Sequence, residues 1–178
     1  TKVFVNIAHI DRNKRQDIIA RCVNRLSVEG YDVALVLIGR NLNNEVYSRI
    51  DSIGSPVIHY IGLRHNPLEY LAMADAFCLA SEREGFPISL IEALGAGTVS
   101  ICTPVGGIID VVEDGENGLL STDISEEAYY NALKRFLAIS SDEKARMAKN
   151  AKSSYAKYSM TECAQNYDLL FHGKLIES

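Results

Sequence analysis

The sequence predicts an α/β fold: a Rossmann-like parallel sheet of six strands with helices on both faces and extra C-terminal helices. Three observations predict it. Apolar runs alternate with segments of helical periodicity as far as Leu120, which is the order of strand–helix–strand units with right-handed crossovers. Residues 33–38 are continuously apolar, as in a strand buried on both faces. After Leu120 the pattern is helical to the end of the chain.

Six strands are predicted from the apolar runs. They are residues 3–7, 33–38, 57–61, 76–80, 99–102 and 119–120. Gly39 closes the second run and Gly62 the third. Every candidate functional loop follows a strand, and in parallel α/β sheets ligands bind beyond the carboxyl ends of the strands. A ligand site is therefore expected at that edge of the sheet.

Helices are predicted between and after the strands. Asp11 is the candidate N-cap of the first helix, which ends at Glu29 and Gly30. Pro67 and Pro87 stand at the first turn of two others, a position that tolerates proline. In the helix after Pro67, the side chains expected to face inward are Tyr70, Leu71 and Met73. The other predicted helices are residues 43–53, 109–112, 124–139, 142–157 and 159–171.

Composition limits the classes of function. The length of 178 residues fits one domain, and the net charge of −5 argues against binding to nucleic acid. No apolar run reaches the roughly 20 residues that span a bilayer. No signal peptide is visible, because the chain goes directly into an apolar segment. Because it starts at Thr1 rather than Met, we expect a fragment or processed product that lacks an N-terminal partner domain.

The cysteines and histidines show no metal-ligand spacing, and no metal site is expected. Three cysteines in apolar surroundings are expected to be buried in the protein interior, namely Cys22, Cys78 and Cys102. The scattered positions of the cysteines favour a protein of the reducing cytoplasm. His59 is expected to be structural and His172 to lie on the surface of the tail. His9 and His65 follow strands, so a role in ligand binding is open for both.

Two carboxylates surround a Gly-Phe-Pro turn that opens a helix. Glu84 precedes this turn, and Glu92 follows on a helix face that is mostly apolar or small. Free N–H groups at the start of the helix would attract an anion, and sugar hydroxyls would satisfy a carboxylate on such a face. The alternative is an ordinary turn with an acid stabilised by the helix dipole. The residues alone leave these two interpretations even.

Three cations crowd the start of the first predicted helix. Arg12, Lys14 and Arg15 oppose the helix dipole and one another, which a bound diphosphate would explain and a solvated basic patch would also permit. Lys14 is the strongest candidate because it lies where the loop becomes helix. The turn at Gly106 and Gly107 either lets a ligand approach the backbone or is a plain turn.

These motifs resemble a known family. The run E-G-F-P-x-x-L-x-E-A-x-x-A-G from Glu84, followed by V-G-G at Val105 and D-G-x-N-G-L-L at Asp114, is similar to retaining glycosyltransferases of family 4. That family has the GT-B architecture of two Rossmann-like domains. Residues 1–178 resemble its C-terminal, nucleotide-sugar-binding domain, one half of such an enzyme.

The resemblance implies a role for each matching residue. Glu84 would hold hydroxyls of the donor sugar, Glu92 would bind the ribose, and Lys14 would contact the diphosphate. The sugar and phosphate pocket would be lined by Gly85, Phe86 and Pro87, with Leu90 beside the diphosphate and ribose. The loop that would meet the base, mostly through backbone groups, is Gly62, Leu63 and Arg64.

Two positions depart from the family pattern. His9 stands where the family has an arginine, and Ala8 where it has a glycine. A histidine carries a permanent charge less reliably, since its unperturbed pKa is about 6.5. Arg12 is the candidate substitute for the missing cation.

The resemblance implies a retaining hexosyltransferase that uses a UDP-sugar, without metal or cofactor, and that is inactive as an isolated domain. The acceptor would be a saccharide or lipid-linked sugar bound through the N-terminal domain, in assembly of bacterial O-antigen, lipopolysaccharide or capsule. The protein would be cytoplasmic, peripheral to the inner membrane when full-length, with no membrane contact through this domain.

Three alternatives stay open. One is a non-catalytic module that binds nucleotide sugars, which the departure at His9 favours. Another is an enzyme like the UDP-sugar epimerases, for which the sequence offers no identifiable acid and base. A dinucleotide-binding Rossmann domain is disfavoured because no G-x-G-x-x-G follows the first strand.

Overall fold

The structure, a computed structural model, describes residues 1–171. Six parallel strands form one sheet in the order β3-β2-β1-β4-β5-β6. The strands are β1 (Lys2–Ile7), β2 (Val33–Ile38), β3 (Ile58–Tyr60), β4 (Ala76–Leu79), β5 (Ser100–Cys102) and β6 (Gly118–Leu120). The helices are α1 (Gln16–Val28), α2 (Asn44–Asp51), α3 (Pro67–Met73), α4 (Ile88–Ala96), α5 (Ile108–Val111), α6 (Glu126–Ala138), α7 (Ser141–Tyr155) and α8 (Met160–Phe171). A 3₁₀ turn, Ala156–Tyr158, joins α7 to α8. The predicted α/β class and six-stranded parallel sheet are confirmed.

The strand order reverses between β1 and β4. From β1 the chain proceeds outward through β2 to β3, then returns to place β4 on the other side of β1. The loops that leave β1 and β4 therefore diverge from neighbouring strands at the carboxyl edge of the sheet. In open α/β sheets this switch point is where a crevice forms.

Each face of the sheet has its own hydrophobic core. Successive side chains of a strand point to opposite faces, so Phe4 joins the core under α1 and α6 while Val5 joins the core under α4. The first core contains the fully buried Tyr129, whose hydroxyl donates to the carbonyl of Ile101 at 2.9 Å. The second contains Leu90 and its neighbours on α4. Both faces of the sheet are covered, as the continuous apolar strands require.

The first helix begins later than predicted. Asp11 does not cap it, because α1 starts at Gln16 and its N-cap residue is Arg15. The side chain of Asp11 instead accepts from the backbone N–H of Asn13 at 2.7 Å. Arg15 has φ +52°, a left-handed conformation that non-glycine residues adopt at a cost of about 1–2 kcal/mol. The predicted inward orientation of Met73 is also wrong, since it is 72% exposed at the end of α3.

The predicted burial of three cysteines is confirmed. Cys22, Cys78 and Cys102 lie in the cores, and burial raises the pKa of the Cys22 and Cys78 thiols to about 12. These thiols therefore stay protonated and behave as small apolar side chains.

The last helix leaves apolar side chains in contact with solvent. On α8, Tyr167, Leu170 and Phe171 are all exposed. His172 lies outside the described residues. Within residues 1–171, no helix combines the length and apolar character needed to cross a bilayer.

Candidate functional site

A cavity of about 420 Å³ opens where β1, β2 and β4 end. It is bounded by the loop after β1, the end of β2, the loop before α3 and the first turn of α4. Most of the predicted site residues line it, namely His9, Lys14, Leu63, Arg64, Glu84, Phe86 and Pro87. The topology thus gathers residues from three parts of the sequence at the switch point of the sheet.

An ion pair between Lys14 and Glu84 lies in this cavity. The Nζ of Lys14 is 2.5 Å from Oε1 of Glu84, and the two side chains are 25% and 8% exposed. The hydroxyl of Ser81 donates to the same Oε1 at 2.5 Å. Because the pair is shielded from solvent and hydrogen-bonded, its geometry is better defined than that of a surface ion pair.

The sequence interpretation missed Ser81, and it also missed Thr103, which holds Ser81 in place. Both Ser81 and Thr103 are fully buried, and the hydroxyl of Thr103 donates to the carbonyl of Ser81 at 2.6 Å. This bond links the ends of β4 and β5 below Glu84. A polar residue placed directly after a buried strand was the available signal for both.

The two glycines at the start of α5 contact the backbone that carries Glu84. A Cβ on Gly106 would lie 1.8 Å from the carbonyl oxygen of Glu84, and one on Gly107 would lie 1.9 Å from that of Gly85. The N–H of Gly107 also donates to the carbonyl of Glu84 at 3.2 Å. The close approach that these glycines permit is between two loops of the protein, and it fixes the position of Glu84.

The start of α4 offers backbone donors to the cavity. Leu90 and Ile91 donate their N–H groups to the carbonyl of Pro87. This leaves Ile88 and Ser89 as the N–H groups of the first turn with no such bond among the described residues, and both residues line the cavity. A helix N-terminus with free donors favours an anion.

Five predicted site residues lie outside the cavity lining: Gly62, Leu90, Gly85, Arg12 and, in a neighbouring groove, Glu92. Gly62 stands behind it with φ +70° and accepts from the N–H of Gly39 at 3.0 Å. Leu90 is fully buried in the core beneath α4. Gly85 is held against Gly107, as described above. Arg12 points to α2, where its guanidinium pairs with Glu45 in solvent, and it does not line the cavity.

Glu92 lines a neighbouring groove of about 780 Å³. This groove lies between α3, α4 and the start of α8, and it shares Phe86 and Ile88 with the cavity. Within residues 1–171, no cation and no hydrogen-bond donor pairs with the Glu92 carboxylate. Partial burial raises the pKa of the Glu92 carboxyl, so hydroxyl donors from a ligand would stabilise its charged form.

The sequence of the chain matches a known family of glycosyl transferases. A family model described as glycosyl transferases, group 1, matches residues 1–154, and the chain belongs to that family. The structural comparison below concerns the fold alone.

Two curated relatives come from Campylobacter jejuni. An N,N'-diacetylbacillosaminyl-diphospho-undecaprenol alpha-1,3-N-acetylgalactosaminyltransferase is 29% identical over 138 residues, covering 76% of this chain and 36% of the relative. An N-acetylgalactosamine-N,N'-diacetylbacillosaminyl-diphospho-undecaprenol 4-alpha-N-acetylgalactosaminyltransferase is 30% identical over 160 residues, covering 88% and 42%. The chain therefore spans less than half the length of either relative.

A solved structure shows the same fold. The Anabaena protein HepE, crystallised in complex with UDP-glucose, superimposes with a TM-score of 0.83 at 21% sequence identity. The match covers 96% of this chain and 48% of HepE.

Proposed function

We propose that this chain binds a UDP-sugar and is the donor half of a retaining glycosyltransferase of family 4. The observation that carries the proposal is the shielded pair of Lys14 and Glu84, 2.5 Å apart in a cavity that α4 enters with its N-terminus. A cation and free helix N–H groups suit a diphosphate, and a carboxylate suits sugar hydroxyls. The complex of HepE with UDP-glucose supports the choice of nucleotide.

In this proposal the two ends of the cavity have different tasks. Lys14 and the N–H groups of Ile88 and Ser89 stabilise the charge that develops on the leaving diphosphate. Glu84 accepts hydrogen bonds from the sugar and holds its ring in position. The leaving diphosphate takes the proton of the acceptor hydroxyl on the face where that hydroxyl attacks. Charge is neutralised by protein groups, so the proposed reaction needs no metal.

The acceptor belongs to the part of the enzyme that this chain does not include. Both Campylobacter relatives are named for acceptors linked to diphospho-undecaprenol. We therefore propose a saccharide or lipid-linked acceptor and a role in assembling bacterial O-antigen or capsule, with a cytoplasmic enzyme peripheral to the inner membrane. The chain by itself is expected to bind the donor and to transfer nothing.

A binding panel tests the nucleotide. Calorimetry and thermal shift with UDP-, GDP- and ADP-sugars should show binding of the UDP-sugars by this chain, with an increase in melting temperature that follows ligand concentration. Failure of all three groups to bind would sink the proposal. Preference for a GDP- or ADP-sugar would be consistent with the proposed binding site and would change only the base that we assign to the nucleotide.

Replacing Lys14 by alanine should weaken the binding of UDP about 10- to 100-fold, because a hydrogen bond to a charged group contributes roughly 1.5–3 kcal/mol. The binding of uridine, which has no phosphate, should change little. Titration calorimetry measures both. Lys2→Ala is the matched control, since Lys2 also pairs with an acid, Asp75 at 2.7 Å, but lies at the opposite edge of the sheet. Equal losses for UDP and uridine would contradict the role of Lys14.

A further inference from the structure

We propose that Asn13 is a positioning residue that holds Lys14 against Glu84 and thereby sets the affinity for a diphosphate. This inference rests on the proposed function for its ligand, but its geometry is independent of any ligand. Asn13 belongs to the loop after β1, and its side chain reaches the loop after β4, 70 residues away. It does not line the cavity.

Three hydrogen bonds join Asn13 to the Glu84 loop. The side-chain Nδ2 donates to the carbonyl of Arg83 at 2.8 Å, and the N–H of Arg83 donates back to Oδ1 at 3.0 Å. The N–H of Glu82 donates to the backbone carbonyl of Asn13 at 2.9 Å. The amide of Asn13 thus pairs with one backbone residue through both its donor and its acceptor, a combination that an amide side chain provides.

The two residues that this clamp joins are the immediate neighbours of the ion pair. Asn13 precedes Lys14, and Arg83 precedes Glu84. Lysine has a long, flexible side chain that loses rotamer entropy when it is held in one geometry. Fixing the two backbones removes part of that freedom in advance, so a diphosphate meets an amine that is already in place.

The Lys14 loop needs this support because it is not part of a helix. Regular α1 begins only at Gln16, after the left-handed Arg15. Asn13 is itself anchored by its N–H, which donates to Oδ1 of Asp11 at 2.7 Å. The clamp is therefore the main link between the two loops apart from the ion pair itself.

A double-mutant cycle separates positioning from general destabilisation. Calorimetry would measure the affinity for UDP in the unaltered chain, Asn13→Ala, Lys14→Ala and the double variant. Asn13→Ala should weaken binding about tenfold, but it should have little further effect once Lys14 is absent. Equal losses in both backgrounds, or no loss, would overturn the proposal.

A second readout does not need the ligand. Acetic anhydride modifies accessible amines, and mass spectrometry follows the rate at Lys14 relative to Lys2. Asn13→Ala should raise the relative rate at Lys14 severalfold, because the amine is no longer held against Glu84. An unchanged rate would show that Asn13 does not position Lys14. If the unaltered chain fails to bind UDP, the proposed function fails, while this rate still decides the role of Asn13.

Two further variants keep the result interpretable. Asn13→Asp preserves the volume and the acceptor for Arg83 but loses the donor, so it should resemble Asn13→Ala even if the alanine variant folds poorly. Asn117→Ala is the matched control. Asn117 makes the same kind of clamp, donating to the carbonyl of Val111 at 2.9 Å and accepting from the N–H of Glu113 at 2.8 Å. Its loss should lower thermal stability without changing the affinity for UDP or the acylation of Lys14.

Discussion

Replacing Glu84 by alanine in the full-length enzyme should reduce kcat for sugar transfer by about 10²–10³-fold, the loss seen when one preorganised polar contact to the reacting group is removed. Glu84 is only 8% exposed and is fixed by Lys14 and Ser81. The Glu84 carboxylate therefore needs to move little when a sugar replaces water beside it. Its loss removes both the acceptor for sugar hydroxyls and the partner that orients Lys14.

The same substitution should affect UDP differently. With Glu84 absent, Lys14 loses its only described carboxylate partner, so its charge is free to interact with a diphosphate. The freed charge and the loss of the partner that orients Lys14 act in opposite directions, so we expect the affinity of Glu84→Ala for UDP to change little, because Asn13 still fixes the backbone beside Lys14, while the UDP-sugar loses affinity relative to UDP. Calorimetry on the chain and initial rates of the full-length enzyme measure these two effects.

Glu82→Ala is the matched control for Glu84. Glu82 lies two residues away on the same loop, but its side chain is exposed and its carboxylate is 4.0 Å from Nε of Arg15. Exposed ion pairs contribute roughly 0–1 kcal/mol, so transfer should stay near normal. Near-normal transfer by Glu84→Ala as well would remove Glu84 from the reaction.

The fold could be predicted from the sequence because its strands are apolar runs bounded by glycine or polar loops. The observed β2 has the predicted bounds, and the other strands differ by a residue or two at their ends. The start of α1 could not be predicted in this way. Asp11 precedes an apolar stripe and has the chemistry of an N-cap, but contacts of Asn13 with Glu82 and Arg83 hold the next residues outside the helix. Tertiary contacts therefore override the local capping preference.

The site was predictable only in part. Residues that belong to a motif, such as Lys14 and Glu84, could be assigned by resemblance, and the structure brings them together. Ser81 donates to Glu84 only three residues along the chain, whereas Asn13 and Thr103 act through partners that are 70 and 22 residues away. Local patterns carry no sign of such pairing, whereas the strand order makes it unavoidable. Arg12 shows the converse, since its attraction to Glu45 on α2 was invisible without the fold.

Alanine at Gly107 should destabilise the protein by about 2–3 kcal/mol, the cost of overpacking a tight contact. Its Cβ would lie 1.9 Å from the carbonyl oxygen of Gly85, so one of the two loops must move. If the affinity for a UDP-sugar falls together with stability, the loop that moves is the one that carries Glu84. Urea unfolding and calorimetry measure the two quantities.

Alanine variants at three glycines distinguish the cost of a steric contact from the cost of backbone strain. Gly107 has a contact and no left-handed φ, while Gly115 has φ +80° and open space where its Cβ would lie. Gly115→Ala should therefore cost only about 1–2 kcal/mol of strain and leave ligand affinity unchanged. Gly106 combines φ +48° with a contact of 1.8 Å to Glu84, so its alanine variant should lose about 3–5 kcal/mol.

The order of these losses tests what the double glycine does. If Gly106 and Gly107 served only as a turn, their variants would resemble Gly115→Ala in both stability and affinity. If they fix Glu84, both should lose UDP-sugar affinity more than UDP affinity, because UDP does not need the carboxylate. A folded Gly107→Ala variant with unchanged affinity for the UDP-sugar would show that the position of Glu84 does not depend on this contact.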